Sequence, residues 1–222
     1  MKRETLQKLV DIIFHLIADI RFVGAENIPA KGGILLATNH MSRMDTPLLF
    51  LNPTRPDITA LVTDKYKEYP FFRWFTNTSG GIWIDRTRAD FTAFRQATEV
   101  LKAGTALGIA PEGTRSEAGA LLEAKAGTAL LAVRTGTPVV PVAIEGSEVA
   151  IARWKHLRRP RLIVHFGRPI PPPELPREDR EAVLLRYMDE IMCQMAAMLP
   201  PRYHGFYAGH PRLKEILSGT AS

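Results

Sequence analysis

A chain of 222 residues, 45% hydrophobic and 23% charged, has ordinary globular composition and can bury roughly 70% of its extended surface, which excludes a disordered or fibrous protein. The single cysteine, Cys193, excludes an intramolecular disulfide and a Cys-rich zinc centre, and no apolar run reaches the roughly 18 residues of a membrane span. A formal charge of +6 predicts an anionic partner without separating nucleic acid, membrane surface and phosphorylated metabolite.

The opening residues lack the apolar core and cleavage site of a secretory signal, which predicts a reducing, cytoplasmic setting. From Glu4 to Ile20 the apolar residues Leu6, Leu9, Val10, Ile12, Ile13, Phe14, Leu16, Ile17 and Ile20 fill one half of a helical circle, with Glu4, Gln7, Lys8, Asp11, His15 and Asp19 on the other. Such a helix packs on its own domain or lays its apolar face into a membrane interface, and its acidic residues weaken the second reading.

Six short apolar runs follow, at Ile34 to Ala37, Thr59 to Val62, Ile82 to Ile84, Ala106 to Ala110, Val139 to Ile144 and Leu162 to Phe166. Their length and flanking Gly, Pro or polar residues are those of buried strands. Between and after them, Phe91 to Lys102, Lys125 to Thr135 and Arg180 to Leu199 space their apolar residues three and four apart, as helices do, with Thr87 or Asp90 as cap of the first. Alternating strands and helices predict an α/β fold, a largely parallel sheet covered on both faces.

Chemistry is carried first by His40 and Asp45. His40 follows the run Ile34 to Ala37 and therefore falls at the carboxyl end of a strand, where α/β folds expose reactive groups. A neutral imidazole is suited to deprotonating a hydroxyl, and a carboxylate five residues on, in the first turn of a helix, is placed to fix its tautomer. Ser42 to Asp45 also fits a capping box, and a lone histidine near a strand end is commonly structural.

Further blocks follow in order: Gly81-Ile82-Trp83-Ile84-Asp85-Arg86, Pro111-Glu112-Gly113-Thr114-Arg115-Ser116 and Val140-Pro141-Val142-Ala143-Ile144. Together with Asn39-His40-x4-Asp45 they resemble the glycerophosphate and lysophosphatidic acid acyltransferase family, over about residues 22–207. The resemblance implies a single-domain αβα sandwich over 22–207, with the amphipathic helix (1–21) before it and a C-terminal tail (208–222) after it. It also implies transfer of a fatty acyl group from acyl-CoA or acyl carrier protein, as co-substrate rather than bound cofactor, to a lysophospholipid hydroxyl in phospholipid biosynthesis. His40 and Asp45 would be the catalytic pair. Arg86 and Arg115 would bind the acceptor's phosphate, with Glu112 orienting the acceptor or an arginine and Gly113 and Thr114 letting backbone amides approach. Pro141 and the Lys125-x-Gly127 step would serve the acyl donor. An edge strand or a bulge accounts for Pro141 equally well. Arg43 and Ala110 stand where family members often carry aromatic residues, which leaves the acceptor's headgroup open.

The run Arg153 to Arg161 is the densest positive stretch. It reads as a solvated loop, or as a contact for anionic lipid headgroups or the phosphates of a CoA-type donor. The partners expected are thus thioester, lysolipid and, peripherally, the inner face of a membrane, with no nucleic acid. A transacylase drawing on another phospholipid, and a basic membrane-binding protein without turnover, are the alternatives. Dinucleotide, P-loop, serine-hydrolase and zincin motifs do not occur, and the remaining histidines have no metal-ligand spacing.

Overall fold

The computed structural model describes residues 1–219; the last three residues of the expected C-terminal tail lie outside the described residues. A seven-stranded sheet, in the order β1-β7-β6-β2-β5-β3-β4, forms its middle layer. The strands are β1 (Asp19–Val23), β2 (Ile34–Thr38), β3 (Thr59–Thr63), β4 (Ile82–Ile84), β5 (Ala106–Ile109), β6 (Val139–Glu145) and β7 (Arg161–Phe166). β2 to β6 run parallel, whereas β7 pairs antiparallel with β6 and β1 parallel with β7. The carboxyl ends of the five parallel strands therefore share one edge with the amino ends of β1 and β7.

The helices are α1 (Arg3–Ile17), α2 (Asp45–Phe50), α3 (Pro70–Ser79), α4 (Phe91–Lys102), α5 (Gly127–Thr135), α6 (Ala150–Lys155), α7 (Arg180–Ala197) and α8 (Pro211–Ser218). They cover the sheet on both faces. Ile34 and Leu36 of β2 pack with residues of α1, α2 and α6, while Leu35 and Ala37 pack with residues of α4, α5, α7 and α8. Every residue of β2 is buried, which is why it reads as an unbroken apolar run rather than an alternation. Asp90 caps α4 by accepting from the Ala93 amide.

One expectation is corrected here. The N-terminal helix stops at Ile17, and Asp19–Val23 is a strand instead. Ile20 and Phe22 alternate with polar residues and pack into the core from β1, so period two wins over the helical continuation. Of the two readings of α1, the structure has it packed on its own domain: Leu6, Val10 and Phe14 are buried in the same core as β2. Yet the apolar arc is wider than the packed stripe, leaving Ile12 and Leu16 65% and 74% exposed. Within the expected tail, α8 packs on α7 through Leu213.

At the edge opposite His40, the buried Arg55 guanidinium ties three loops together. It pairs with both carboxylate oxygens of Asp57 at 2.7 and 2.8 Å and donates to the carbonyls of Pro29, Gly32 and Gly104. Asp57 in turn accepts from the Ala106 amide, and Arg55 holds its carboxyl below the usual range. Removing the buried guanidinium strips the exposed Asp57 and three solvent-reachable loop carbonyls of their common donor, a loss of about 1–3 kcal/mol because water can take its place at the acceptors. Arg55→Ala is expected to lose that much by urea denaturation.

Candidate active site

β2 delivers Asn39 and His40 to the sheet edge, and three sets of bonds fix them there. The buried Asn39 side chain reads β6 like a neighbouring strand: its Nδ2 donates to the Ile144 carbonyl at 2.9 Å and its Oδ1 accepts from the Ile144 amide at 2.7 Å. The His40 amide donates to Glu112 Oε1 at 3.2 Å, and the His40 carbonyl accepts from the Ser116 amide at 2.7 Å. Asp45, at the start of α2 and 1% exposed, presents Oδ2 to His40 Nδ1 at 3.0 Å and to the amides of Met41 and Ser42 at 2.7 Å each. A carboxylate held by two amides is a fixed acceptor, so Nδ1 carries the proton and the lone pair is left on Nε2. The ring stays partly open, with 21% of the side chain exposed.

The Pro111 to Ser116 loop follows β5 and folds over this pair. Gly113 takes φ +69°, and a side chain there would press on Lys125, whose Cδ, Cε and Nζ stand 3.2–3.3 Å from the place of a Cβ. Arg86, following β4, donates to the Gly113 carbonyl at 2.9 Å. Arg115 is half-buried, Thr114 is exposed, and Arg115 makes no ion pair or side-chain hydrogen bond among the described residues. The fold thus gathers Arg86, Lys125 and the Arg115 loop beside the His40 loop. None of these three cations is matched to a carboxylate there, so the site has unspent capacity for an anion.

Other expected placements differ. Glu112 touches neither Arg86 nor Arg115; it is 2% exposed and bridges the amides of His40 and Leu122. The Gly113 amide closes a turn onto the Ala110 carbonyl and is not free for a ligand. Lys125 lies against Gly113, whose carbonyl accepts from Arg86. Pro141 is buried in an interior strand, opposite Ala37. Its missing N–H faces β7, where the register slips: Val139 bridges Ile170 while Val142 pairs with Phe166. That bulge opposite Pro141 spares the ladder with β2. An open groove of about 500 Å³ along β4, lined by Lys67, Trp83, Gln96 and Val100, holds none of these residues. The role of Asn39 is the one that motif reading missed; an amide directly after a buried strand, able to mimic a peptide group, was its signal.

Burial pushes the Glu112 carboxyl up to about 7, helped by the nearby Asp45 charge and opposed by the two amides it accepts from. A carboxyl raised in the folded state binds protons that the unfolded chain has released, so stability falls as pH rises from about 4.5 to 7. Glu112→Gln keeps the volume and removes the titration. The stability advantage of the wild type over Glu112→Gln should shrink by up to about 3 kcal/mol across that window. Urea midpoints at a series of pH values measure it; a pH-independent difference would contradict the raised carboxyl.

Comparison with known proteins follows the same residues. The acyltransferase family model matches residues 19–145. The chain is 32% identical over 132 residues to a 1-acyl-sn-glycerol-3-phosphate acyltransferase of Borreliella burgdorferi, covering 58% of this chain and 52% of that protein. It is 33% identical to the enzyme of that name in Saccharomyces cerevisiae, over 68% of this chain and 52% of that one. It therefore spans about half the length of these curated relatives. The crystal structure of the 1-acyl-sn-glycerophosphate acyltransferase PlsC from Thermotoga maritima superposes with a TM-score of 0.65 at 27% identity, covering 85% of this chain and 79% of that one. Because the family match takes in His40, the loop that clamps it and the strand to which Asn39 is bonded, the chain belongs to the acyltransferase family.

Proposed function

We propose that this protein is an O-acyltransferase that moves a fatty acyl group from an acyl thioester, acyl-CoA or acyl carrier protein, to the free hydroxyl of a lysophosphatidic acid or similar lysophospholipid. The observation that carries the reading is the His40–Asp45 pair at 3.0 Å with uncompensated cations gathered on the adjoining loop. The names of the relatives support the acceptor class, and the work belongs to phospholipid biosynthesis at the cytoplasmic face of a membrane.

In this mechanism Nε2 of His40 removes the proton of the acceptor hydroxyl as its oxygen attacks the thioester carbonyl. The carbon–sulfur bond breaks, and the imidazolium returns the proton to the departing thiolate. Asp45 stabilises the imidazolium and holds the ring's orientation. Arg86, Arg115 and Lys125 fix the acceptor's phosphate, which makes the encounter of hydroxyl and base effectively intramolecular. Glu112 and Asn39 are positioning residues, acting through the His40 peptide and through β6. Transfer is direct. The one thiol, Cys193, is fully buried, bonded to His210 Nδ1 at 3.3 Å and pushed up to about 12 by burial, which makes it inert as a nucleophile.

With labelled acyl-CoA or acyl carrier protein and lysophosphatidate, His40→Ala should lower turnover by roughly 10² to 10⁴ while its circular dichroism and melting stay native-like. Asp45→Asn should be comparably severe. Activity of His40→Ala within a few-fold of wild type would remove the general base from the mechanism, and acylation without added thioester would point to a transacylase.

Alanine at Arg86, Arg115 or Lys125 should raise the acceptor's KM roughly ten- to a hundredfold, as expected when a charge-assisted bond to phosphate is lost. Lysine at either arginine should restore only part, because it supplies charge without the planar fork. Movement of the thioester's KM alone would return these cations to the donor side.

A further inference from the structure

The segment 149–161 carries five Lys and Arg and no Asp or Glu. Arg153, Lys155, Arg158, Arg159 and Arg161 are all exposed, and none forms an ion pair among the described residues. In their midst stands Leu157, 97% exposed and at φ +53°. The bonds around it, Leu157 amide to the Trp154 carbonyl and Arg158 amide to the Arg153 carbonyl, close α6 in the manner of a Schellman motif. The left-handed position of that motif ordinarily belongs to glycine. Leucine here strains the backbone, and its side chain buries nothing within the protein. By the protein's own stability glycine would be the better residue.

Two observations place this tip. Trp154 Nε1 donates to the Ile17 carbonyl at 2.8 Å, and Arg159 donates to the carbonyls of His15 and Ala18 at 2.7 and 2.8 Å. The segment is thereby fastened to the end of α1 that displays Ile12 and Leu16. It also leads into β7, whose start adjoins the end of β6: the Arg161 carbonyl packs against Gly146, two residues beyond the Ile144 to which Asn39 is bonded. Basic tip, apolar α1 face and His40 loop therefore share one edge of the sheet.

We infer that the 149–161 segment is a membrane-docking tip, which inserts Leu157 into the interface of an anionic bilayer while its cations meet the headgroups. The inference deepens the proposed function by orienting the catalytic edge toward the lipid that holds the acceptor. The exposed apolar groups are aliphatic, and the indole N–H of Trp154 is already engaged, so the segment lacks the stacking platform that single-stranded nucleic acid requires. Aliphatic side chains ringed by Lys and Arg suit an interface of acyl chains and anionic headgroups.

The test is co-sedimentation of the whole protein with vesicles of equal parts phosphatidylglycerol and phosphatidylcholine, against vesicles of phosphatidylcholine alone. Wild type should partition to the anionic vesicles and be released by salt. Leu157→Gly should melt no lower than wild type yet partition about tenfold less. The triple change Arg153→Ser, Lys155→Ser, Arg158→Ser should lose about a hundredfold. Equal binding to both vesicle types, unchanged partition of Leu157→Gly, or binding to nucleic acid with none to vesicles would overturn the inference. Vesicle partition needs no turnover, so its failure leaves acyl transfer standing, and inactivity of the enzyme leaves the docking result readable.

Discussion

A chain leaving the end of an interior parallel strand must find partners for peptide groups that the ladder no longer serves, and at the end of β2 that requirement shapes the site. Buried amides and carbonyls left unpaired cost about as much as a lost hydrogen bond each. Here Asn39 satisfies Ile144 with its side chain, while Glu112 and the Ser116 amide take the two peptide groups of His40. The same bonds that satisfy the backbone fix the Cα of His40, and Asp45 then fixes the ring. The placement of the His40 ring thus follows from the saturation of the strand end together with the Asp45 bond.

That arrangement also separates charges that would otherwise cancel. A carboxylate beside an arginine ordinarily forms an ion pair, as the exposed Asp57 does with the buried Arg55. Glu112 instead spends both oxygens on backbone amides, and Arg86 spends one donor on a carbonyl, which has dipole but no net charge. The cations of the loop therefore keep their field for a ligand. The cost falls on Glu112, whose carboxyl is lifted toward neutrality because two neutral amides compensate burial less fully than a guanidinium would.

How much of this was legible in the sequence depends on how local the cause was. Strands β2, β5 and β6 announce themselves because an interior parallel strand buries both faces and so reads as an apolar run, a signal the bulge at Pro141 left intact. The less buried β3, the edge strand β4 and β7 were legible from short apolar runs between turn residues. β1 was hidden because Ile20 continues the helical spacing of α1, and only pairing with β7 decides for a strand. The aromatic helix α3 was missed for another reason: it is amphipathic but short, and its aromatic residues, of which Phe71 packs against Phe72, Trp74 and Phe75, have low intrinsic helix propensity. At the site, His40 and Asp45 are five residues apart and their bond is a local event. The partner of Glu112 is 72 residues away, and the approach of Lys125 to Gly113 follows from a turn with positive φ, so neither could be read from spacing.

The reversal of β1 and β7 has the widest effect. Had β7 joined β6 in parallel, the segment before it would have emerged at the edge where Arg55 lies, far from His40. Running antiparallel, β7 starts beside the end of β6, and β1, parallel to β7, starts there too. The exposed end of α1 and the cations of 149–161 are carried to the edge of His40 by strand direction, and three hydrogen bonds between them hold the two segments as one surface. A lysolipid presents its phosphate and hydroxyl at the bilayer surface with its chain buried. On the proposed function, a base, an anion site and an apolar fringe that all face the same way would meet that hydroxyl without extracting the lipid.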